Sequence, residues 1–235
     1  MSRPDLSPVA ASTDALLATV RAWVPSAWAA DSLLPGWTRA HVVAHLARNA
    51  EGLARAAEGL AAGGQVPVYD SREARDAGIA AWAALPPSAL AAELSAQCAR
   101  WASAFDALPD DAWDAEVTLV AEVRRTARRM VDLRRREVEI HHVDLGAGYL
   151  PSAWPQDFVV PELAEAIAVF DTRPGVDGFS VEARDLERTW PVRGGGPPTL
   201  TGPSWRLLAW LTGRDDGRYL VVTPAGPAPA LPPWL

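Results

Sequence analysis

The sequence predicts an α+β protein, with a four-helix bundle over residues 1–149 followed by a small α+β domain over residues 150–235. Three observations predict it. Apolar residues recur at helical spacing throughout the first part. The breaks between those stretches are short and hold Pro and Gly, which suits antiparallel neighbours. Past Gly148 the pattern changes to brief β-like runs among prolines and glycines.

The first expected helix covers residues 13–30, with Leu16, Leu17, Val20, Trp23 and Val24 on one stripe. Pro35-Gly36 marks a turn. Thr38 is placed to cap a long helix running to about residue 62, where Gly63-Gly64 ends it. Val42, His45, Leu46, Asn49 and Leu53 share the apolar face of that helix. Ser71 caps a third helix to about residue 85. Pro86-Pro87-Ser88 breaks it and starts a fourth, through Leu94, Cys98, Trp101 and Phe105. Pro109-Asp110-Asp111 opens a loop or short extended stretch. A long helix from about residue 123 to residue 145 follows, stopped by Gly146 and Gly148. In the second part, helices are expected at 158–171 and about 204–213, and strands at 178–183, 189–192 and 218–223. The Pro-rich tail from Pro224 is expected to be non-helical and to dock through its closing Leu-Pro-Pro-Trp-Leu.

At 49% hydrophobic and 22% charged, the 235 residues can bury a substantial core, and the 11 Trp suit core filling. A net charge of −7 repels phosphate backbones, so nucleic acid is not an expected partner. No apolar run approaches the roughly 20 residues of a membrane span, and no charged and then apolar leader opens the chain. The expectation is a cytoplasmic protein with no membrane partner, a monomer since no coiled coil or apolar strip stands out. The single Cys98 excludes an internal disulfide. All 22 basic residues are Arg, and Ile occurs only at 79, 140 and 167, which is the codon signature of a GC-rich genome.

The four histidines fall in two places: His41 and His45, then His141 and His142. Glu137 and His141, spaced i, i+4, emerge on one helix face. His45 points into the bundle from another helix. If those helices are neighbours, two imidazoles and a carboxylate converge, a set that holds zinc or another divalent metal with a coordination position left open. The same spacing also fits a surface ion pair or a satisfied core histidine. His41 lies on a different face and reads as structural, and His142 points toward solvent or the second domain. Asp144 either orients the His141 ring or pairs at the helix C-terminus. The arginines from Arg124 to Arg136 read as a solvated face paired with acids, with Arg128 or Arg134 open to an anionic ligand. Cys98, with no basic neighbour but Arg100, reads as core.

These residues carry a resemblance. Residues 35–50, Pro-Gly-Trp-Thr-Arg-Ala-His-Val-Val-Ala-His-Leu-Ala-Arg-Asn-Ala, resemble the start of mycothiol-dependent maleylpyruvate isomerases. Residues 136–145, Arg-Glu-Val-Glu-Ile-His-His-Val-Asp-Leu, are similar to the second ligand motif of that family. Residues 69–76, 207–214 and the closing Leu231-Pro232-Pro233-Trp234 fit as well, so the resemblance spans the chain. It implies a DinB-like four-helix bundle with a zinc site held by His45, Glu137 and His141, then a smaller α+β domain. It implies a catalytic and substrate-binding arginine at Arg214, able to reach the metal, and Arg75 as a second holder of a substrate carboxylate. The cosubstrate it implies is mycothiol, the main small thiol of actinobacteria, whose genomes are GC-rich.

The implied chemistry is cis–trans isomerisation of a conjugated acid such as maleylpyruvate, by thiolate addition, rotation and elimination. Alternatives remain open: a mycothiol S-transferase or an isomerase of another conjugated substrate, a hydrolase using metal-bound water, or a non-catalytic metal-binding module.

Overall fold

The structure, a computed structural model, describes residues 3–120 and 123–234. Leu235, the last residue of the expected docking tail, lies outside the described residues, as do positions 121–122 of the loop or extended stretch expected after Pro109. The chain divides into two compact units, Met1–Gly148 and Tyr149–Leu235.

The first unit is built on α1 (Ser7–Arg21), α2 (Arg39–Ala61), α3 (Arg72–Ala83), α4 (Pro87–Asp106) and α5 (Ala127–Asp144). Helices α1, α4, α2 and α5 each pack on two of the others and close a four-helix bundle, while α3 lies against α2. Buried alanines along α2, including Ala44, Ala47, Ala50, Ala54 and Ala57, keep its surface low, so its neighbours approach closely. Leu46, Leu90, Leu94, Phe105 and Met130 fill the core.

Helix α1 starts earlier and stops earlier than its apolar stripe suggested. Pro8 sits in its first turn, where a missing N–H costs nothing. Pro25 then opens a separate 3-10 turn, whose Trp28 packs edge-on against Trp23 at 5.3 Å. Helix α5 starts later than expected. Arg124–Thr126 (β2) is a strand, paired antiparallel with Glu116–Thr118 (β1). The helix begins only where the Thr126 hydroxyl accepts from the Arg129 N–H.

The second unit holds α6 (Gln156–Thr172), α7 (Ser204–Leu211) and a four-stranded sheet of order β4-β3-β5-β6. Its strands are β3 (Phe179–Ala183), β4 (Arg188–Val192), β5 (Thr199–Gly202) and β6 (Val221–Thr223). β3 and β5 run parallel, and the other pairs antiparallel. Phe179, Val181 and Ala183 alternate inward along β3, and Phe179 meets Trp210 edge-on at 5.6 Å. In the tail Trp234 is buried, and Arg173 bonds the Pro233 carbonyl within the same unit.

Candidate metal centre

The end of α5 is tied to the start of α2. Arg39 Nε donates to the Leu145 carbonyl at 2.8 Å, and the Leu33 N–H donates to that of Asp144 at 2.8 Å. Carbonyls that a helix terminus leaves unpaired are thereby satisfied, and the two antiparallel helices are fixed in height. His45, two turns into α2, therefore faces the last two turns of α5, where Glu137 and His141 share a face.

His45, Glu137 and His141 bring one ligand atom each within 4.8 Å of one another. His45 Nε2 lies 2.7 Å from Glu137 Oε2, and His141 Nε2 lies 3.3 Å from the same oxygen. The two imidazoles meet edge-on with centroids 4.6 Å apart. His141 Nδ1 is 2.8 Å from Asp144 Oδ2, so Asp144 orients the ring and leaves Nε2 for the shared point. Trp37 covers His45 with its ring 5.8 Å away.

Near neutral pH, His45 and Glu137 are held in donor form, whereas His141 must release a proton to become a ligand. Burial pushes the His45 pKa down. Burial works to raise that of Glu137, but the positive charge and hydrogen bonds of the two imidazoles outweigh it and hold the carboxyl well below its usual range. Burial would lower His141 too, yet its bonds to Asp144 and Glu137 raise it to about 9. With two imidazoles and one carboxylate, the donor set suits zinc and related divalent ions, and three such ligands would leave a coordination position open.

Arg75 on α3 reaches this cluster: its Nη2 lies 3.3 Å from His45 Nδ1, while Nη1 pairs with Asp76 at 2.7 Å. Arg214 belongs to the second unit, just past α7, where its Nη1 donates to the Thr212 carbonyl at 2.5 Å.

Of the other residues, some differ from their sequence reading and some match it. His142 does not face outward: it is 2% exposed, with Nε2 2.8 Å from the Thr19 hydroxyl of α1. His41 closes a capping box with Thr38 at the start of α2. Arg124, Arg128 and Arg129 pair with Glu116, Asp114 and Asp132, as a solvated face should. Arg134 is 1% exposed and bonds the Leu46 carbonyl, Asn49 Oδ1 and Cys98 Sγ. Cys98 is core, but its basic neighbour is Arg134, since Arg100 pairs with Glu58. Sequence reasoning assigned no role to Asn49, although its i+4 spacing from His45 placed it on the same face, and none to Tyr69, whose loop has no periodicity to read.

A helical bundle that gathers His, Glu and His from two helices, in a chain with a second α+β unit, defines a class of two-unit proteins with a candidate metal centre in the bundle. The chain belongs to the mycothiol maleylpyruvate isomerase family, and residues 9–146 match its N-terminal domain. It is also similar to a solved structure of the mycothiol-dependent maleylpyruvate isomerase. That likeness has a TM-score of 0.90 and 27% identity over 97% of this chain and 95% of the other. A histidine-to-alanine mutant of that enzyme is similar too, with a TM-score of 0.90 and 26% identity over the same shares. No curated protein sequence matches the chain.

Proposed function

We propose that this chain is a cytoplasmic, monomeric, mycothiol-dependent isomerase that converts maleylpyruvate or a similar cis-configured conjugated acid to its trans isomer. Residues 1–149 form its metal-binding domain and residues 150–235 its second domain. The observation that carries the reading is the meeting of His45, Glu137 and His141 in a member of this family. These three would hold a divalent ion, zinc by donor type, and Asp144 would orient His141 toward it. Such an ion, when bound, favours the thiolate form of a thiol coordinated to it.

Thiolate sulfur adds to the alkene carbon β to the carbonyl, the alkene pair shifts toward the carbonyl carbon, and the carbonyl oxygen takes the charge as an enolate. Rotation about the new single bond follows. Expulsion of the thiolate then restores the double bond in the trans form. The protein's part is to hold the acid and stabilise the enolate. Arg75, beside His45, donates only and needs an acceptor. When His45 gives Nε2 to an ion, its ring proton sits on Nδ1, and a substrate carboxylate becomes the better partner for Arg75. On the family resemblance alone, Arg214 would be the catalytic cation, a fixed charge that favours the enolate. Glu137, held ionised, is a ligand and not a base.

Purified protein incubated with maleylpyruvate should form fumarylpyruvate only when mycothiol is present. Equal turnover without thiol overturns the mechanism, and mycothiol conjugates accumulating in place of a trans acid would indicate the transferase instead.

A further inference from the structure

Tyr69 holds a buried hydroxyl that makes no hydrogen bond within the described residues. Buried donors are nearly always partnered, so an orphan beside a candidate site asks for an acceptor from outside the chain.

Its place is fixed from several sides. The Tyr69 N–H donates to the Leu119 carbonyl at 3.0 Å, and the Val68 N–H to that of Thr118 at 2.9 Å. Arg55 Nη2 donates to the Val68 carbonyl at 3.0 Å. Beneath the loop is Gly52 of α2, where an added Cβ would stand 2.6 Å from the Val68 oxygen. The loop rests on α2 because that position carries no side chain. Above the Tyr69 ring is Arg75, with Cζ 5.8 Å from the centroid, and Arg75 in turn touches His45. One side chain thus separates Tyr69 from the candidate centre.

The direction of the hydroxyl follows from its neighbours. Arg134 can only donate, so Asn49 turns Oδ1 toward its Nη1 at 2.8 Å and presents its NH2 elsewhere. That amide acts on the Tyr69 oxygen as a donor, short of a bond of normal geometry. Burial, with the Glu137 charge next, pushes the phenol up to about 12, so it stays protonated. Its oxygen faces a donor, and its own proton is left to give. A buried cation at the head of the chain Arg134, Asn49, Tyr69 polarises that O–H and makes it a stronger donor.

Resting on the isomerase reading above, we propose that Tyr69 is a substrate-binding residue, whose O–H donates to an oxygen of the anionic acid held beside His45, Glu137 and His141. Asn49 and Arg134 are positioning residues that aim it. Tyr69 thereby selects acids with an oxygen acceptor at that point.

The test uses the metal-loaded full chain and its Tyr69→Phe variant, with two readouts. Maleate binding is measured by calorimetry, and KM for maleylpyruvate and for mycothiol by turnover. Tyr69→Phe should weaken maleate about ten- to hundredfold and raise KM for maleylpyruvate, with KM for mycothiol and metal content unchanged. Asn49→Asp, which offers the hydroxyl an acceptor inside the protein, should reproduce the loss with the fold intact. If the wild-type protein binds maleate but does not isomerise maleylpyruvate, the isomerase reading fails while weaker maleate binding in Tyr69→Phe still supports Tyr69. Equal maleate affinity in wild type and Tyr69→Phe, or no maleate binding by the wild type, overturns the role of Tyr69.

Discussion

Nε2 of His45 lies 2.7 Å from Oε2 of Glu137, although 92 positions separate the two residues in the chain. This approach depends on α2 and α5 keeping one height and one spacing. The Arg39 and Leu33 bonds to the end of α5 set the height, and Arg134 sets the spacing.

Replacing His45 with alanine should remove metal and activity together. Elemental analysis of protein loaded with zinc and then dialysed should show roughly tenfold weaker retention or worse, since even neighbours of ligands cost that much. Full retention would mean the ligand set is wrong. In the wild type, a chelator should lower the melting temperature, by about 2.7 kcal/mol of stability relative to free metal at a hundred times Kd. His45→Ala should lack most of that shift.

Asp144→Asn should spare the fold but weaken zinc about 10- to 100-fold, because His141 loses the carboxylate that orients its ring. Competition against a zinc chelator measures this directly. An unchanged affinity would make Asp144 only a helix-terminal partner.

Stability should fall in mild acid. His142 takes up a proton below about 6.5 when unfolded, but burial lowers its folded value to about 4. Its contribution is complete above 6.5 and is lost as pH drops toward 4, about 2 kcal/mol by pH 5. His45, also lowered by burial, acts with the same sign, while His141, raised to about 9, opposes them in part. Calorimetric melting from pH 7 to pH 5 should show the decline. His142→Gln, which can still bond the Thr19 hydroxyl but does not titrate, should flatten it, and an identical slope would sink the assignment.

Gly52→Ala should destabilise the first unit by about 1–3 kcal/mol, as overpacking does. The added methyl meets a backbone carbonyl that three contacts hold in place. The same variant should raise KM for the acid more than KM for the thiol, since Tyr69 follows Val68. Denaturant melts and steady-state kinetics measure the two effects.

Much of this was legible in the sequence. The helices were, because periodicity and caps such as Thr38, Ser71 and Gly146 survive in one dimension. The ends were less so. Pro8 looks like a breaker but is harmless in a first turn, and β2 hides because Arg124 and Arg125 both stand exposed instead of alternating. β5, four residues framed by prolines and glycines, gave no pattern of its own. The His45, Glu137 and His141 set was legible because the i, i+4 pair and the apolar face of α2 both point inward. Arg134 was not separable from its run, since burial of one arginine among seven depends on which helix lies opposite. The pocketing of His142 against Thr19 likewise depends on α1 crossing α5, which no local spacing encodes.

The buried guanidinium of Arg134 grips neutral oxygens and a thiol, with no carboxylate among its described partners. Dissolved ions have little purchase on such a lock, because they weaken attractions between exposed opposite charges and reach enclosed dipoles poorly. The alignment of α2 with α5 should therefore be as firm in concentrated brine as in dilute buffer.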